Sequence, residues 1–470
     1  MNAPLMTVVT LFFSAFLLSA QTFRVLYNFT GSSSPYANGL LVLSGDLLYG
    51  TTTGGGSSGY GTVFKINTNG TGYTVIKNFT ALDTSTFTNT DGAQPMAGLV
   101  MWSNRLFGTT YAGGSGGKGT VFGVNTDGTD YVVFNNFSGT NGKNPYVGLT
   151  LSGNILYGAT AAGGISNKGA IFRLDTDGTG FGLVKSFISS EGILLLGGVT
   201  VGNGTLYGTT YDGGISNRGT IYSVGTDGNG FTVLKTFSYG DGTQPRYGLV
   251  LSGNALYGIT DGSGVNSNSV VYRINTDGTG YNVIKRFSEP DGPDGTNADG
   301  SYLRGGLVLW NGVLYGTARW GGLYGNGVVF KVNPDGTGFA VLKYFSAVTG
   351  TSGGLYLNAG GMFPLGDLMV ADGVLYGTTQ YGGFYGCGTI YSVTIPPTPS
   401  LQTTNRTGQP VIFWNDDGLN RTLQTAPDLV SGNWTNVPAL NWTNASVKPQ
   451  QIGYQITDSM NHPGAFFWLK

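Results

Sequence analysis

The sequence predicts an all-β protein: a seven-bladed β-propeller closed by its N-terminal strand, followed by a small C-terminal β-sandwich-like domain. Three observations support this fold class. A repeat of about fifty residues occurs seven times, as propeller blades and similar arrays do. Each repeat holds short runs rich in Val, Ile, Leu, Phe and Tyr, bounded by turn residues. One run stands alone before the first repeat, and the last repeat lacks it.

Two motifs at a constant spacing define the repeat. A Leu-Tyr-Gly or Leu-Phe-Gly triplet begins at Leu48, Leu106, Leu156, Leu206, Leu256, Leu314 and Leu375. A run such as GTVF begins thirteen residues after each of these leucines, at Gly61, Gly119, Gly169, Gly219, Ser269, Gly327 and Gly388. A third run, such as FTVLKTF at 231–237, follows a turn such as TDGTG, and a fourth, such as GLVLSGN at 248–254, precedes the next triplet. Four antiparallel strands per repeat are typical of a propeller blade.

The two ends of the repeat array indicate how it closes. The seventh repeat ends at GTIYSVTIPP without a third run, whereas FRVLYNF at 23–29 stands alone at the N-terminus. We therefore predict that residues 23–29 supply the outermost strand of the last blade. A β-solenoid is the alternative, but an open array needs capping units at its ends.

Composition excludes several classes of function. The chain of 470 residues has 23 basic and 24 acidic side chains, so it lacks the basic excess expected of a nucleic-acid-binding protein. Cys387 is the only cysteine, which excludes an intramolecular disulfide. His462 is the only histidine and lies close to the C-terminus. A histidine-based triad, zinc site or general base within the repeats is therefore excluded.

The regions outside the repeats predict export and a second domain. An apolar stretch from Leu5 to Leu18 is shorter than a membrane span, and Ala20 is a small residue suited to cleavage, so residues 1–20 are predicted to be a signal peptide. An uncleaved anchor is the alternative. The propeller is assigned to 21–395, a Pro-rich linker to 396–400 and the β-domain to 401–470, where apolar residues alternate. No membrane span is expected after cleavage, and the protein is expected to be secreted, periplasmic or at the cell surface.

The repeat also resembles a known family. FSYGDGTQPRYGLVLSGNALYGIT at 237–260, with the double glycine and the GTVF run in fixed register, is similar to the Gloeo/Verruco (GloVer) repeat of exported bacterial proteins. The resemblance extends from about residue 23 to 393, and the fifth repeat departs from it at Ser269. It implies a propeller-like array at the cell surface and no established catalytic residue.

Chain order predicts which loops share a face. Successive connections within a blade alternate between its two ends, so the double-glycine loops (hereafter GG loops) and the blade-to-blade loops should lie on one face. Three blade-to-blade loops are long, at 80–97, 288–305 and 346–365. Because binding sites tend to use variable loops on a rigid scaffold, this face is the predicted binding surface.

Two groups of side chains in the GG loops are candidate ligand contacts. Aromatic residues concentrate in the sixth and seventh repeats, at Trp320, Tyr324, Tyr381, Phe384 and Tyr385. They predict a stacking platform for sugar rings, with packing beneath the long loops as the alternative. Basic residues occupy one loop position in three consecutive repeats, at Lys118, Lys168 and Arg218. They suit an anionic ligand or, alternatively, a solvated rim.

Loop carboxylates provide a weaker case for catalysis or metal binding. They are Asp91, Glu191, Asp212, Asp241, Asp261 and Asp299. Asp212 and Asp241 belong to neighbouring loops and could form the acid/base pair of a glycosidase, although Asp-Gly also recurs simply to make turns. The acidic stretch at 289–301 suits Ca²⁺ in composition but lacks the EF-hand pattern, so no cofactor is assigned. Cys387 is interpreted as incidental, since no histidine can activate it.

These observations favour a non-catalytic, exported binding or surface-interaction propeller. The expected partner is a polysaccharide or another cell-surface component, and the protein is expected to be a monomer. Two alternatives stay open: a carbohydrate-active hydrolase or lyase that uses the loop carboxylates, and an architectural repeat protein of the cell surface.

Overall fold

A computed structural model describes residues 22–31, 36–37, 39–262, 269–290 and 295–395, together with the backbone of six C-terminal strands. The predicted signal peptide and the predicted linker at 396–400 lie outside the described residues. Residues 23–393 form one compact unit, and the C-terminal strands belong to another. Each unit is described by itself.

The first unit is a seven-bladed β-propeller, as predicted. Strand β1 (Phe23–Asn28) precedes six regular blades, each a four-stranded antiparallel sheet in chain order. Blade 1 has β2 (Val42–Ser44), β3 (Leu47–Thr52), β4 (Thr62–Asn67) and β5 (Thr74–Asn78); blade 2 has β6 (Val100–Trp102), β7 (Arg105–Thr110), β8 (Thr120–Asn125) and β9 (Val132–Asn136); blade 3 has β10 (Thr150–Ser152), β11 (Ile155–Thr160), β12 (Ala170–Asp175) and β13 (Gly182–Ser186). Blade 4 has β14 (Thr200–Gly202), β15 (Thr205–Thr210), β16 (Thr220–Gly225) and β17 (Thr232–Thr236); blade 5 has β18 (Val250–Ser252), β19 (Ala255–Ile259), β20 (Val270–Asn275) and β21 (Asn282–Arg286); blade 6 has β22 (Val308–Trp310), β23 (Val313–Ala318), β24 (Val328–Val332) and β25 (Ala340–Tyr344).

Blade 7 is closed by the N-terminal strand. It contains β28 (Met362–Pro364), β29 (Met369–Ala371), β30 (Val374–Tyr381) and β31 (Thr389–Thr394), with β1 as its outermost strand. Strand β1 runs antiparallel to β31, with Phe23 opposite Val393 and Asn28 opposite Thr389. The predicted circular closure is therefore confirmed, and the open solenoid is excluded.

The hydrophobic core lies between blades. The residue that follows each outermost strand is a phenylalanine that is at most 2% exposed: Phe29, Phe79, Phe137, Phe187, Phe237, Phe287 and Phe345. Each of these rings contacts the aromatic ring of the GTVF-type strand in the next blade, with centroid separations between 4.9 Å for Phe187 and Tyr222 and 5.8 Å for Phe29 and Phe64. Seven repeated edge-to-face contacts thus join neighbouring blades around the propeller. This geometry is favourable for aromatic pairs.

The glycine of the Leu-Tyr-Gly triplet makes room for this packing. In blade 3, Gly158 pairs with Phe172 on the neighbouring strand. A Cβ atom on Gly158 would lie 2.4 Å from Cζ of the Phe172 ring, which is far inside van der Waals contact. The same conflict, at 2.3–2.7 Å, exists in all seven blades. The glycine of the Leu-Tyr-Gly motif and the aromatic residue of the GTVF-type motif therefore recur together, because the aromatic ring fills the space that a Cβ atom would need.

Three further features complete the described structure. A hairpin of β26 (Gly350–Ser352) and β27 (Leu355–Leu357) lies in the long loop before blade 7. The C-terminal unit has two three-stranded antiparallel sheets, ordered β32-β36-β35 and β34-β33-β37. Its strands are β32 (Val411–Asn415), β33 (Leu423–Ala426), β34 (Thr435–Asn436), β35 (Trp442–Ala445), β36 (Gln451–Ile456) and β37 (Phe466–Leu469). The packing of these sheets as a sandwich stays a prediction. Across the described residues, no helix has the length and apolarity needed to cross a bilayer.

Candidate functional site

The GG loops and the blade-to-blade loops meet on one face of the propeller, here called the GG face. In the long loop before blade 2, the side-chain oxygen of Asn89 accepts hydrogen bonds from the backbone N–H groups of Gly92 and Gly114, at 2.9 and 2.8 Å. Asn297 and Asn358 make the same pair of contacts in the other two long loops. Each long loop is therefore fixed to the GG loop of the blade that follows it.

Most of the predicted carboxylates organise loops. Four of them accept a hydrogen bond from a lysine on the preceding outermost strand: Lys77 to Asp91 at 2.6 Å, Lys185 to Glu191 at 2.8 Å, Lys235 to Asp241 at 2.9 Å and Lys285 to Asp299 at 2.6 Å. Each acid also accepts the backbone N–H of the residue that follows the buried phenylalanine. A repeated acid–lysine pair thus caps the start of these blade-to-blade loops.

The carboxylates of Asp212 and Asp241, which the sequence suggested as an acid/base pair, bond to different partners. Asp212 accepts a bond from the side chain of Gln244 at 3.4 Å, whereas Asp241 bonds to Lys235 and Ser238. Burial raises the pKa of Asp241, but the hydrogen bonds from Lys235 and Ser238 outweigh it, so the net shift is downward. A carboxyl with a lowered pKa is poorly suited to act as a general acid at neutral pH.

The acidic stretch at 289–301 is only partly described, since residues 291–294 lie outside the described set. Within it, Asp299 pairs with Lys285, and Asn297 binds the backbone of Gly300 and Gly322. Across the described part of the chain, no group of three or more His, Cys, Asp and Glu side chains is arranged to hold a metal ion. The stretch suits Ca²⁺ in composition only, and the assignment of no cofactor stays a prediction.

The position that holds the basic trio anchors loops. The Lys118 ammonium donates to the backbone carbonyl of Ser138 at 2.6 Å, and Asn326, at the same position in blade 6, donates to the carbonyl of Ser346 at 2.6 Å. The Arg218 guanidinium lies 3.4 Å from the centroid of the Tyr239 ring, and Lys168 is half-buried. The trio is thus divided among the loops of three blades.

Cys387 occupies this same position in blade 7. Its buried thiol lies 3.3 Å from the carbonyl oxygen of Gly31, and burial raises its pKa. A thiol whose pKa is raised is inert as a nucleophile.

The predicted aromatic platform divides into two parts. Trp320 and Tyr381 belong to a continuous row of rings, here called the aromatic row, together with Phe363 and Tyr36. Trp320 stacks on Phe363 at 4.8 Å, Phe363 meets Tyr381 edge-on at 6.0 Å, and Tyr381 meets Tyr36 at 5.4 Å. The Trp320 side chain is 40% exposed, and the other three rings are half-buried. Comparing the GG loops does not find Phe363, which lies in β28, or Tyr36, which precedes β2, because neither belongs to a GG loop.

The other predicted aromatic side chains lie elsewhere on the GG face. Phe384 and Tyr385 contact each other at 5.0 Å and are 73% and 49% exposed. They line a groove of about 740 Å³ with Leu355 and Leu357 of the β26–β27 hairpin. Tyr324 is 51% exposed in the GG loop of blade 6. The five predicted residues therefore do not form one platform.

A group of charged residues that sequence reasoning had not assembled lies next to the aromatic row. Asp261 is fully buried. It pairs with Arg304, whose Nε lies 3.2 Å from Oδ1, and with Arg246, whose Nη1 lies 3.7 Å from Oδ2. A third arginine, Arg319, donates to the side-chain oxygen of Gln380 at 2.9 Å. We call Arg246, Arg304, Arg319 and Asp261 the arginine cluster.

Aromatic side chains connect and flank the arginine cluster. The Arg319 guanidinium lies 5.6 Å from the centroid of Trp320 and 5.7 Å from that of Phe363, which joins the cluster to the aromatic row. Arg246 lies 5.2 Å from the centroid of Tyr146 and donates to its hydroxyl at 2.9 Å. A guanidinium group that lies above an aromatic face in this way is stabilised by cation–π attraction.

The cluster is built at two positions of the repeat. Asp261 and Arg319 follow the strands of the Leu-Tyr-Gly motif, and Arg246 and Arg304 stand two residues before the Gly-Leu that opens the innermost strand. Comparing these two positions across the repeats singles out the four residues as charged exceptions, since other repeats have Ala161 and Leu196 there, but it does not show that they meet.

The innermost segments of all seven blades line a central cavity of about 280 Å³. Glycine backbones form most of its wall at one level, at Gly98, Gly148, Gly198, Gly248 and Gly306. Asp367 occupies this position in blade 7, where its carboxylate accepts a hydrogen bond from the N–H of Gly306. Burial raises the pKa of Asp367, and the Gly306 hydrogen bond partly opposes that shift.

One backbone device carries side chains to the GG face in six blades. The residues Gln94, Asn144, Leu194, Gln244, Tyr302 and Phe363 have φ between 52° and 60°. In Gln244, for example, the N–H donates to the carbonyl of Arg218 in one blade, and the carbonyl accepts the N–H of Asp261 in the next. These left-handed residues, here called the staple residues, join neighbouring blades through their backbones.

Comparison with solved structures finds distant likenesses. An oligogalacturonate lyase from Vibrio parahaemolyticus is 10% identical, with 80% of this chain and 98% of that chain covered and a TM-score of 0.46. TolB from Acinetobacter baumannii is 13% identical, with 59% and 58% covered and a TM-score of 0.36. A chain of a nidogen/laminin complex is 15% identical, with 57% and 91% covered and a TM-score of 0.37. Likenesses this distant say nothing about activity.

No curated protein matches the sequence. A family model does match, twice in tandem and over most of the repeats, at residues 13–200 and 194–359. The matched region covers more than half of the chain and contains the motifs that build the blades. The protein is therefore a member of the Gloeobacter/Verrucomicrobia repeat family.

Proposed function

We propose that the protein is a non-catalytic binding propeller that holds a polysaccharide on its GG face. The observation that carries this proposal is the aromatic row, because four rings from blades 6 and 7 and from the segment before blade 1 are packed edge-to-face or stacked on a rigid scaffold. Sugar rings stack their apolar faces on such side chains. The tyrosine hydroxyls at Tyr36 and Tyr381, which lie 3.4 Å apart, can bond to sugar hydroxyls.

The state of the loop acids supports binding over hydrolysis. Asp91, Glu191, Asp241 and Asp299 each hold a lysine and a loop backbone, and Asp261 holds two arginines. Glycoside hydrolysis needs two carboxyl groups facing one sugar bond. The proposal includes export through the predicted signal peptide, since the protein would meet its polysaccharide ligand outside the cell.

Binding to a polysaccharide panel, measured by affinity electrophoresis and calorimetry, tests this proposal. We expect Trp320→Ala to weaken binding by about tenfold or more, because exposed aromatic anchors at the centre of a binding surface contribute on this scale. Tyr381→Ala should act in the same direction.

Tyr356→Ala is the matched control. Tyr356 is a 54% exposed tyrosine on β27, outside the aromatic row, and we expect its removal to leave binding unchanged. Tyr385→Ala tests the groove separately. Full binding by the Trp320→Ala protein would contradict the proposed site. If no polysaccharide bound and the protein fractionated with the cell envelope, an architectural role would replace the proposal; turnover of a polysaccharide would replace it with an enzyme.

A further inference from the structure

The arginine cluster holds more positive charge than its own carboxylate requires. The cluster contains three arginines and a single aspartate, Asp261, which leaves a net charge of +2 (three minus one). Asp261 already has two guanidinium partners. Arg319 has an amide oxygen as its partner, that of Gln380. Among the described residues, the positive charge of Arg319 therefore has no carboxylate of its own.

The excess positive charge of the cluster is energetically unfavourable in the absence of a ligand. Burial and, after it, the neighbouring Arg304 lower the pKa of the Arg319 guanidinium, which reports both desolvation and repulsion between like charges. The Nε atoms of Arg246 and Arg319 are buried and have no hydrogen-bond partner among the described residues. A bound anion would offset the repulsion between Arg319 and Arg304.

The arginine side chains of the cluster reach solvent, and the aspartate does not. The Asp261 side chain is fully buried, whereas the side chains of Arg246 and Arg304 are 15% and 25% exposed. The carboxylate is therefore shielded from solvent, and the arginine side chains form the accessible part of the cluster. Because Arg319 lies against Trp320 and Phe363, a chain stacked on the aromatic row would pass beside these charges.

We propose that the arginine cluster binds the carboxylate groups of an acidic polysaccharide, one built from uronic acid units, whose sugar rings stack on the aromatic row. This inference rests on the proposed function and narrows it to an acidic ligand. Planar guanidinium groups match carboxylates in shape and can bind them through two parallel hydrogen bonds. The aromatic rings beside them suit a sugar bearing such a group.

Two matched pairs of probes test the chemistry. Polygalacturonate is compared with its fully methyl-esterified form, which keeps the sugar backbone and removes the charge. Dextran sulfate is compared with dextran, which asks whether a sulfate ester serves instead. We expect polygalacturonate to bind at least about tenfold more tightly than its ester, as loss of charge-assisted hydrogen bonds predicts. Added salt should weaken that binding.

Three variants test the residues. Arg319→Gln should weaken polygalacturonate binding about tenfold, and it leaves both Asp261 pairs in place. Gln380→Glu keeps every arginine and places a carboxylate against Arg319, so it should reduce acidic binding without loss of stability. Arg173→Gln is the control, since Arg173 is an exposed arginine on β12 that belongs neither to the GG loops nor to the arginine cluster. Unfolding midpoints confirm that each variant is folded.

Each outcome of these experiments either supports or overturns the inference. Selective binding of polygalacturonate that Arg319→Gln and Gln380→Glu both weaken supports the inference. Equal binding of polygalacturonate and its ester overturns the inference and leaves the proposed function standing, as does binding of dextran sulfate alone. Undiminished acidic binding by both variants also overturns it. Failure of every polysaccharide to bind overturns the proposed function, and the inference with it.

Discussion

Deletion of residues 23–29 is expected to abolish the cooperative folding of the propeller. Strand β1 is the outermost strand of blade 7, and the segment buries Leu26 and Phe29 against blade 1. Burial of two such side chains contributes about 2–3 kcal/mol each, and an entire ladder of hydrogen bonds is lost with them. The total, about 5 kcal/mol or more, matches the whole stability of many domains. Urea denaturation followed by circular dichroism measures the effect.

A rearranged chain provides the control for this deletion. Because Phe23 lies opposite Val393 in an antiparallel pair, residues 23–29 can follow residue 394 through a TDGTG turn such as that at 176–180. This arrangement copies the hairpin of the other blades and returns the strand to the same edge. We expect it to restore a cooperative transition. A deletion variant as stable as the full chain would show that the closing strand contributes little.

Gly158→Ala is expected to destabilise the propeller by about 3 kcal/mol. The added methyl group would lie 2.4 Å from the Phe172 ring and 2.8 Å from a methyl group of Leu149, and both side chains are buried. Overpacking a filled core forces side chains from their preferred rotamers, at a cost of about 1–3 kcal/mol and occasionally more. The shift in the urea midpoint at unchanged slope measures the loss.

Gly182→Ala, in the same blade, is the matched control. Gly182 begins β13, and a Cβ atom built on it would meet no heavy atom within 4 Å. Alanine loses less chain entropy on folding than glycine, so this variant should be neutral or more stable by about 0.5 kcal/mol. Equal destabilisation by both substitutions would show that backbone conformation, and not the Phe172 ring, explains the effect.

The fold was predictable because its rules are local and repeated. Gly158 and Phe172 stand in a spacing that recurs in every blade, so the motif that identifies a blade is also the contact that builds it. Closure followed from counting strands at 23–29 and after 393. The β26–β27 hairpin was not anticipated, because it interrupts a loop between repeats and has no counterpart in the other blades.

The candidate site was only partly predictable, because it is assembled across blades. Trp320 and Tyr381 were identified from the sequence, but Tyr385 lies in a separate groove. Arg246 and Arg304 are 58 residues apart in the sequence (304 minus 246), yet both contact Asp261. The sequence shows which repeat position each residue occupies but not which positions of neighbouring blades converge in space.

The staple residues have a consequence for how this surface can change. A left-handed backbone costs a non-glycine residue about 1 kcal/mol, and glycine would avoid that cost. Six blades nevertheless carry side chains as different as Leu194, Gln244 and Phe363 there, on a backbone whose φ varies by 8° (60° minus 52°). The backbone at these positions therefore accepts different side chains without changing its conformation. New ligand preferences can arise by exchanging one side chain at a time, with the architecture left untouched.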